Sequence, residues 1–500
     1  MRRPPLAVLF VLTLLATLMA TPAAARGPAA PASPQASAAK EAGQGQGQPG
    51  KGNNSSDARG PNYVFDAVTP LGGGDTTPLG EGVSLSSLEA AGLETVQGEI
   101  AGAGYIGQKP ANWNGELVVW AHGYRGEGER LYVDPPPARQ WLLDNDYAWI
   151  ASSYRRNSYD PGVGVLDTKN VTRRAAALWG QPSRTYLAGA SMGGHVTGAA
   201  IERFPTLYDG ALPACGVMGD VELFDYFLDY NLGAAAIAGV EVDYPSETWL
   251  DVEVPKIKQA LSIAPTGVPG VTASWAAGGF LTGGFSTLTD DGELFKDFVE
   301  VRSGGERGAI YDAAWDYWHL GASPTGDFFF ELGAGDGTIA NRSGIVADNT
   351  DTDYASYGEQ FAFLNDDIER VEGANRIRKS QGQKPAPLIE GDPSIPVLSI
   401  HTIGDLFVPI EMQLVYADRV EANGKSDLLV QRAIRDVGHC TFSGSEWVQS
   451  YTDLFAWVDT GHAPTGEDLR ANIDDPRLGC DWTITDTTLG SASLRAFPCR

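Results

Sequence analysis

RTYLAGASMGGHVTGAAIERFP, Arg184 to Pro205, is an apolar run, then a turn crowded with small residues, then apolar positions at helical spacing. Tyr186 and Leu187 lead into Ala188-Gly189-Ala190. After the turn, Val196, Ala199, Ala200 and Phe204 recur on one helical face. Ser191 stands at the turn, and Gly189-Ala190-Ser191-Met192-Gly193 fits G-x-S-x-G, the frame in which a sharp strand-to-helix bend lifts a serine hydroxyl above a parallel sheet. With 61 glycines in 500 residues such a frame arises readily by chance, so its weight comes from the strand before it and the helix after it.

Strands and helices alternate on both sides of this stretch. Glu116 to Ala121, ELVVWA, is a buried strand ending in His122-Gly123-Tyr124. The spacing then predicts a helix over Ala138 to Leu143, a strand over Tyr147 to Ser152, a helix over Asn170 to Leu178 and, after the Ser191 unit, a strand over Tyr208 to Gly216. Upstream, Thr95 to Ile106 reads as one antiparallel edge strand. The rhythm stops over residues 217–392, where Phe224, Tyr226, Phe227, Trp249, Trp275, Phe280, Phe285, Trp315, Trp318 and Phe328-Phe329-Phe330 fall; a structureless loop of that length is unphysical, so it reads as a mostly helical inserted lid whose aromatics pack or touch substrate. It resumes with strands over Ile395 to His401 and Leu428 to Ile434, a helix over Ile410 to Val420 between them, and a closing helix over Trp447 to Val458. Together these predict an α/β fold: a mainly parallel sheet covered by helices on both faces, built from residues 61–216 and 393–461, with a polar tail over 462–500.

Residues 1–25 have the form of a signal peptide: Arg2-Arg3, an apolar stretch from Leu6 to Ala20, and the small residues Ala23-Ala24-Ala25. Residues 26–60 are Ala, Gly, Pro, Gln and Ser with almost nothing large and apolar, the composition of a disordered linker. Export is therefore expected, with no membrane attachment after cleavage. The formal charge of -27 argues against nucleic acid and anionic membranes as partners, because both would be repelled. Glycosylation sequons occur at Asn53, Asn54, Asn170 and Asn341. The four cysteines can pair in three ways. The short loop between Cys480 and Cys499 favours that pair, and Cys215, at the end of the strand after the Ser191 helix, is the candidate partner for Cys440.

Serine-dependent hydrolysis needs a base in reach, a carboxylate to orient it and donors for the oxyanion. Ser191, Asp405 and His439 occur in the order Ser, Asp, His, each in the loop after a predicted strand, where side chains converge above a sheet. Asp436 is the rival acid, three residues before His439. His122 reads as a structural loop histidine, His401 as a core residue within a strand, His195 as a pocket candidate one turn into the Ser191 helix, and His319 as a lid residue that packs or touches substrate. Asp348, Asp351 and Asp353 supply oxygen ligands for calcium but lack the glycine such a loop uses, and neither C-x-x-C nor H-E-x-x-H occurs, so neither metal nor cofactor is expected.

On these motifs the chain resembles a secreted serine hydrolase of the α/β-hydrolase superfamily over roughly Gly115 to Gly461, lid excluded. The resemblance implies Ser191 as nucleophile, His439 as general base, Asp405 as its orienting acid, and the backbone N–H groups of Met192 and Tyr124 as the oxyanion hole. Cys440 beside His439, Tyr208-Asp209-Gly210 and the large insertion are similar to tannases and feruloyl esterases. Those enzymes have a cysteine immediately before the serine, where this chain has Ala190. The expected function is cleavage of carboxylic esters, small or polymeric, without a cofactor. A serine peptidase of the same fold would use the same triad, and a binding protein that has lost turnover is a third reading.

Overall fold

A hairpin, six parallel strands and one antiparallel join make up an eight-stranded sheet in the computed structural model, which describes residues 63–65, 92–126, 128–263, 288–321, 328–333, 345–374, 378, 386–484 and 499. The expected signal peptide and linker, the sequons at Asn53, Asn54 and Asn341, and Trp275, Phe280 and Phe285 lie outside these residues. In chain order the strands are β1 (Val64–Phe65), β2 (Leu93–Ile100), β3 (Ala103–Pro110), β4 (Glu116–Ala121), β5 (Arg130–Leu131), β6 (Ala148–Ser152), β7 (Arg184–Ala190), β8 (Gly210–Ala214), β9 (Val397–Thr402) and β10 (Leu429–Ile434). The small pair β1 and β5 stands apart, and the large sheet runs β2-β3-β6-β4-β7-β8-β9-β10, parallel from β6 to β10. An edge strand expected over Thr95 to Ile106 is instead the β2–β3 hairpin, turned at Ala101 (φ 52°) and Gly102 (φ 86°). Both turn residues are left-handed, as a tight hairpin requires, but alanine is a rare choice there and gives no turn signal.

Alternation along the strands sorts the core into two layers. Leu117 and Val119 of β4 face Val171 and Ala175 of α2 (Pro161–Trp179), Val196 and Ala200 of α3 (Met192–Arg203), and Tyr416 and Val420 of α10 (Glu411–Ala422). Their neighbours Val118 and Trp120 face the other way, towards Leu142 and Leu143 of α1 (Arg139–Asp144) and Trp447, Tyr451 and Leu454 of α11 (Gly444–Thr460). Both faces of a parallel sheet are thereby covered, which is why these strands read as continuous apolar runs. A mainly parallel sheet wrapped on both sides, with the serine turn at the end of a central strand, is the α/β-hydrolase fold.

Between β8 and β9 come α4 (Glu222–Ile237), α5 (Val254–Leu261), α6 (Asp290–Arg302), α7 (Ala309–Asp316), α8 (Phe328–Gly333) and α9 (Leu364–Asp367). Tyr230, Phe295, Phe298 and Trp315 centre a core of their own, which continues into Leu406 and Val437, residues of the loops after β9 and β10. Beyond α11 the chain runs back along β10: Glu467 N–H donates to Gln431 O at 2.8 Å, the Glu467 carboxylate accepts from Ala433 N–H at 3.0 Å, and Arg432 stacks on Trp482. The open edge of the sheet is thus covered by chain, a standard protection against edge pairing.

Candidate active site

The strand ends of the sheet lie level. Ala121 pairs with Gly189, Ala190 with Ala214, Ala214 with Ile400, and Thr402 with Ile434, so the loops that follow β4, β7, β8, β9 and β10 leave from one rim. Crevices at the carboxyl ends of parallel strands are where such sheets hold ligands.

Ser191 caps α3 with φ 58° and ψ -124°, a conformation unfavourable for any side-chain-bearing residue. The strain is held by close backbone contact. A Cβ on Gly189 would lie 2.3 Å from Gly193 O, and one on Gly193 would lie 2.0 Å from Ala121 O, so both flanking positions admit only hydrogen. The Ser191 N–H donates to Ala214 O at 3.1 Å, tying the turn to the adjacent strand. The residue is 8% exposed. Among the described residues the N–H of Met192, in the unsatisfied first turn of α3, makes no hydrogen bond. The loop after β4 crosses beside it: a Cβ on Gly123 would sit 3.1 Å from Ser191 Cβ and 3.6 Å from Ser191 Oγ. That glycine carries no signal in the sequence beyond its place in His122-Gly123-Tyr124. Tyr124 follows, a residue 44% exposed at the rim.

Asp405 and His439 meet. His439 Nδ1 lies 2.6 Å from Asp405 Oδ2, and the other carboxylate oxygen accepts the N–H groups of Phe407 (2.9 Å) and Val408 (3.0 Å). The carboxylate is fully buried and the imidazole side chain 19% exposed. An ionised carboxylate only accepts, so this contact puts the proton on Nδ1 and leaves Nε2 as the basic nitrogen. Asp436, the rival acid, instead accepts Gly438 N–H at 2.9 Å in its own loop. Among the described residues no hydrogen bond joins Ser191 to His439; Nε2 lies 3.4 Å from Cys440 Sγ, and catalytic hydrogen bonds often close only around a bound substrate. Phe407 presents its ring to the imidazole at a centroid distance of 5.1 Å, nearly perpendicular.

A disulfide joins the two halves. Cys215 and Cys440 are bridged with 5.3 Å between Cα atoms, and Cys480 is bridged to Cys499. Cys215 directly follows β8 and Cys440 directly follows His439. Both are left-handed, with φ of 42° and 57°, so three strained non-glycine residues, Ser191, Cys215 and Cys440, meet at one place, the pattern expected where backbone strain serves a site. The sulfurs and His439 approach within 4.8 Å of one another, but a bridged sulfur is not a thiolate and is a poor metal ligand.

The remaining candidates have structural partners. His122 bonds Gly123 O, stacks on Tyr154 at 3.9 Å, and is held neutral by burial and then by the charge of Arg125. His195 bonds Tyr159 and Pro387 O, His319 bonds Tyr230 and Trp315 O, and His401 bonds Val408 O; burial lowers each to about 4. Asp348 accepts from Thr350 and Gly373, and Asp353 from Ala355 and Asn365, so both carboxylates cap their own loops.

No known protein family description matches this chain. It is similar to an o-phthalyl amidase from Xanthobacter agilis, 24% identical over 432 residues that cover 76% of this chain and 91% of that one. Among solved structures it is similar to feruloyl esterase B from Aspergillus oryzae (16% identity, TM-score 0.40, 74% of this chain and 82% of that one). It is also similar to an acylaminoacyl peptidase from Pyrococcus horikoshii (12% identity, TM-score 0.37, 79% of this chain), of which it spans 46%. Each of these proteins is named as a hydrolase, of an amide, an ester or a peptide; it is the strand order described above that gives this chain the α/β-hydrolase fold.

Proposed function

We propose that this protein is a secreted serine hydrolase that cleaves carboxylic esters through an acyl-serine intermediate. The observation that carries the reading is the His439–Asp405 pair at 2.6 Å, on the same sheet rim as the strained Ser191 turn and bridged to the strand beside that turn by Cys215–Cys440. Ser191 Oγ attacks the carbonyl carbon as its proton passes to His439 Nε2. The oxyanion is received by the N–H groups of Met192 and Tyr124, and Asp405 stabilises the imidazolium. Nε2–H then protonates the departing alkoxide, and water, deprotonated by the same nitrogen, releases the acid and restores Ser191. Apart from substrate and the attacking water, every step uses groups of the chain itself.

Export is supported by the signal-like residues 1–25 and the two disulfides, and no described helix is long and apolar enough to cross a membrane. Amide cleavage by the same steps is the second reading, favoured by the amidase relative that aligns with most of both chains.

A fluorophosphonate probe tests the proposal, since it labels only an activated serine. Folded wild-type protein should label and hydrolyse p-nitrophenyl acetate, and Ser191→Ala should do neither while melting at a similar temperature. Much faster cleavage of anilides than of matched esters would move the assignment to amides. A folded wild type that neither labels nor turns over would leave a binding protein on a hydrolase fold.

A further inference from the structure

We propose that Trp318, in the insertion between β8 and β9, is a positioning residue for the acid–base pair, acting by donating one indole N–H to both of the loops that carry it. The inference rests on the reading of Asp405 and His439 given above. Trp318 Nε1 lies 3.1 Å from Gly404 O and 2.9 Å from Val437 O. Gly404 immediately precedes Asp405, and Val437 is two residues before His439. One donor therefore spans the two chain segments whose separation sets whether the carboxylate meets the imidazole.

The need for such a donor follows from where the ladder stops. β9 and β10 are parallel neighbours through Thr402 and Ile434. Past them the segments stay joined by Ile403 N–H to Ile434 O, by Gly404 N–H to Asp436 O, both 2.9 Å, and by Thr402 Oγ to Gly438 O at 2.8 Å. There the chains part: Asp405 turns to cap Phe407 and Val408, while residues 437–439 lead to Cys440 and its bridge to Cys215. The carbonyls of Gly404 and Val437 leave the sheet inside an apolar region that includes Leu406 and Val437, where an unmatched carbonyl is costly. The indole N–H closes that gap from outside the sheet. Gly404 permits the approach, since a Cβ there would lie 2.9 Å from Val437 Cα and 3.1 Å from Ala314 Cβ.

The ring is fixed in turn. Trp318 is 5% exposed and packs on Phe328, Phe329 and Phe407, the last of which also faces His439. From α4, Tyr226 Oη donates to Leu406 O at 3.1 Å and holds the far side of the acid loop. The insertion thus grips both loops through side-chain donors and is mechanically part of the base's support.

The test separates the N–H from the ring. Trp318 is replaced by β-(3-benzothienyl)alanine, which keeps the shape and loses the donor, and separately by Phe. For the benzothienyl variant we expect a melting temperature within a few degrees of wild type, KM for p-nitrophenyl acetate nearly unchanged, kcat lower by about tenfold to a hundredfold, the range for a base misplaced by up to an ångström, and a displaced acid limb of the pH profile. The downfield imidazole N–H resonance of His439, read by proton NMR without substrate, should shift and exchange faster with water. Unchanged kcat, pH profile and resonance in a folded benzothienyl variant overturn the proposal, as does a loss of activity that follows loss of folded protein alone. If the wild type hydrolyses nothing, the functional reading fails on its own, and the resonance still decides whether the indole N–H sets the His439–Asp405 contact. A Phe variant that does not fold shows only that the ring is needed for packing, and the isosteric variant gives the answer.

Discussion

Two buried aspartates lie within reach of the histidine loop, and their partners divide their roles. Asp405 gives one oxygen to His439 and the other to two backbone N–H groups, while Asp436 serves the N–H of Gly438. Asn at position 405 keeps the shape but offers an N–H where the imidazole needs an acceptor, so Asp405→Asn should lower kcat by about 10⁴ with little change in KM. Asp436→Asn should leave kcat within a few-fold, and steady-state kinetics that rank the two the other way would reassign the acid. The Asp405–His439 contact and the Ser191 turn were legible because each of these residues follows an apolar strand in an order that the fold uses. Trp318 and Gly123 were not: the hydrogen bonds of Trp318 reach 86 and 119 residues along the chain, and Gly123 matters only through its distance from Ser191, so neither leaves a local pattern.

The serine turn works as a strand, a bend and a helix whose backbones touch, and the loop after β4 completes it from the side. Gly123→Ala would add a methyl 3.1 Å from Ser191 Cβ and 3.3 Å from Ala190 O, a contact that the loop can relieve by a small shift. We expect a folded protein, destabilised by about 1 kcal/mol, with kcat reduced tenfold or more because the shift moves the Tyr124 N–H; wild-type kinetics in that variant would remove the loop from the oxyanion hole. Helix α2 shows why element boundaries are harder to read than elements. The sequence predicts a helix over Asn170 to Leu178, whereas the helix begins at Pro161: Asp160 caps Val163 N–H and Pro161 suits the first turn. Gly164 is there for packing, since a Cβ would lie 2.6 Å from Val196 of α3. At α11 a signal was present but unread: Ser443 and Glu446 form a reciprocal capping box, and the helix starts at Gly444, before Trp447.

At the scale of the molecule, the alternation of strands and helices made the sheet legible, and the insertion was legible only as an interruption. Its aromatics announce burial without saying against what, whereas the structure carries that core into the loops of Asp405 and His439 through Leu406 and Val437. The His439 loop is also tied across 225 residues to the end of β8 by Cys215–Cys440, a crosslink with a nominal value of about 5 kcal/mol in the chain-entropy model. The double variant Cys215→Ala/Cys440→Ala should melt well below the wild type in calorimetry and lose more activity than its folded fraction explains; a variant equal to the wild type in both would leave the bridge without a role at the site. A thiol pair beside the proposed base would also make activity sensitive to the surroundings. Where thiols are kept reduced, the imidazole rides on an untethered loop. On the proposed reading, competence then arrives with the oxidant, once the chain reaches an oxidising compartment.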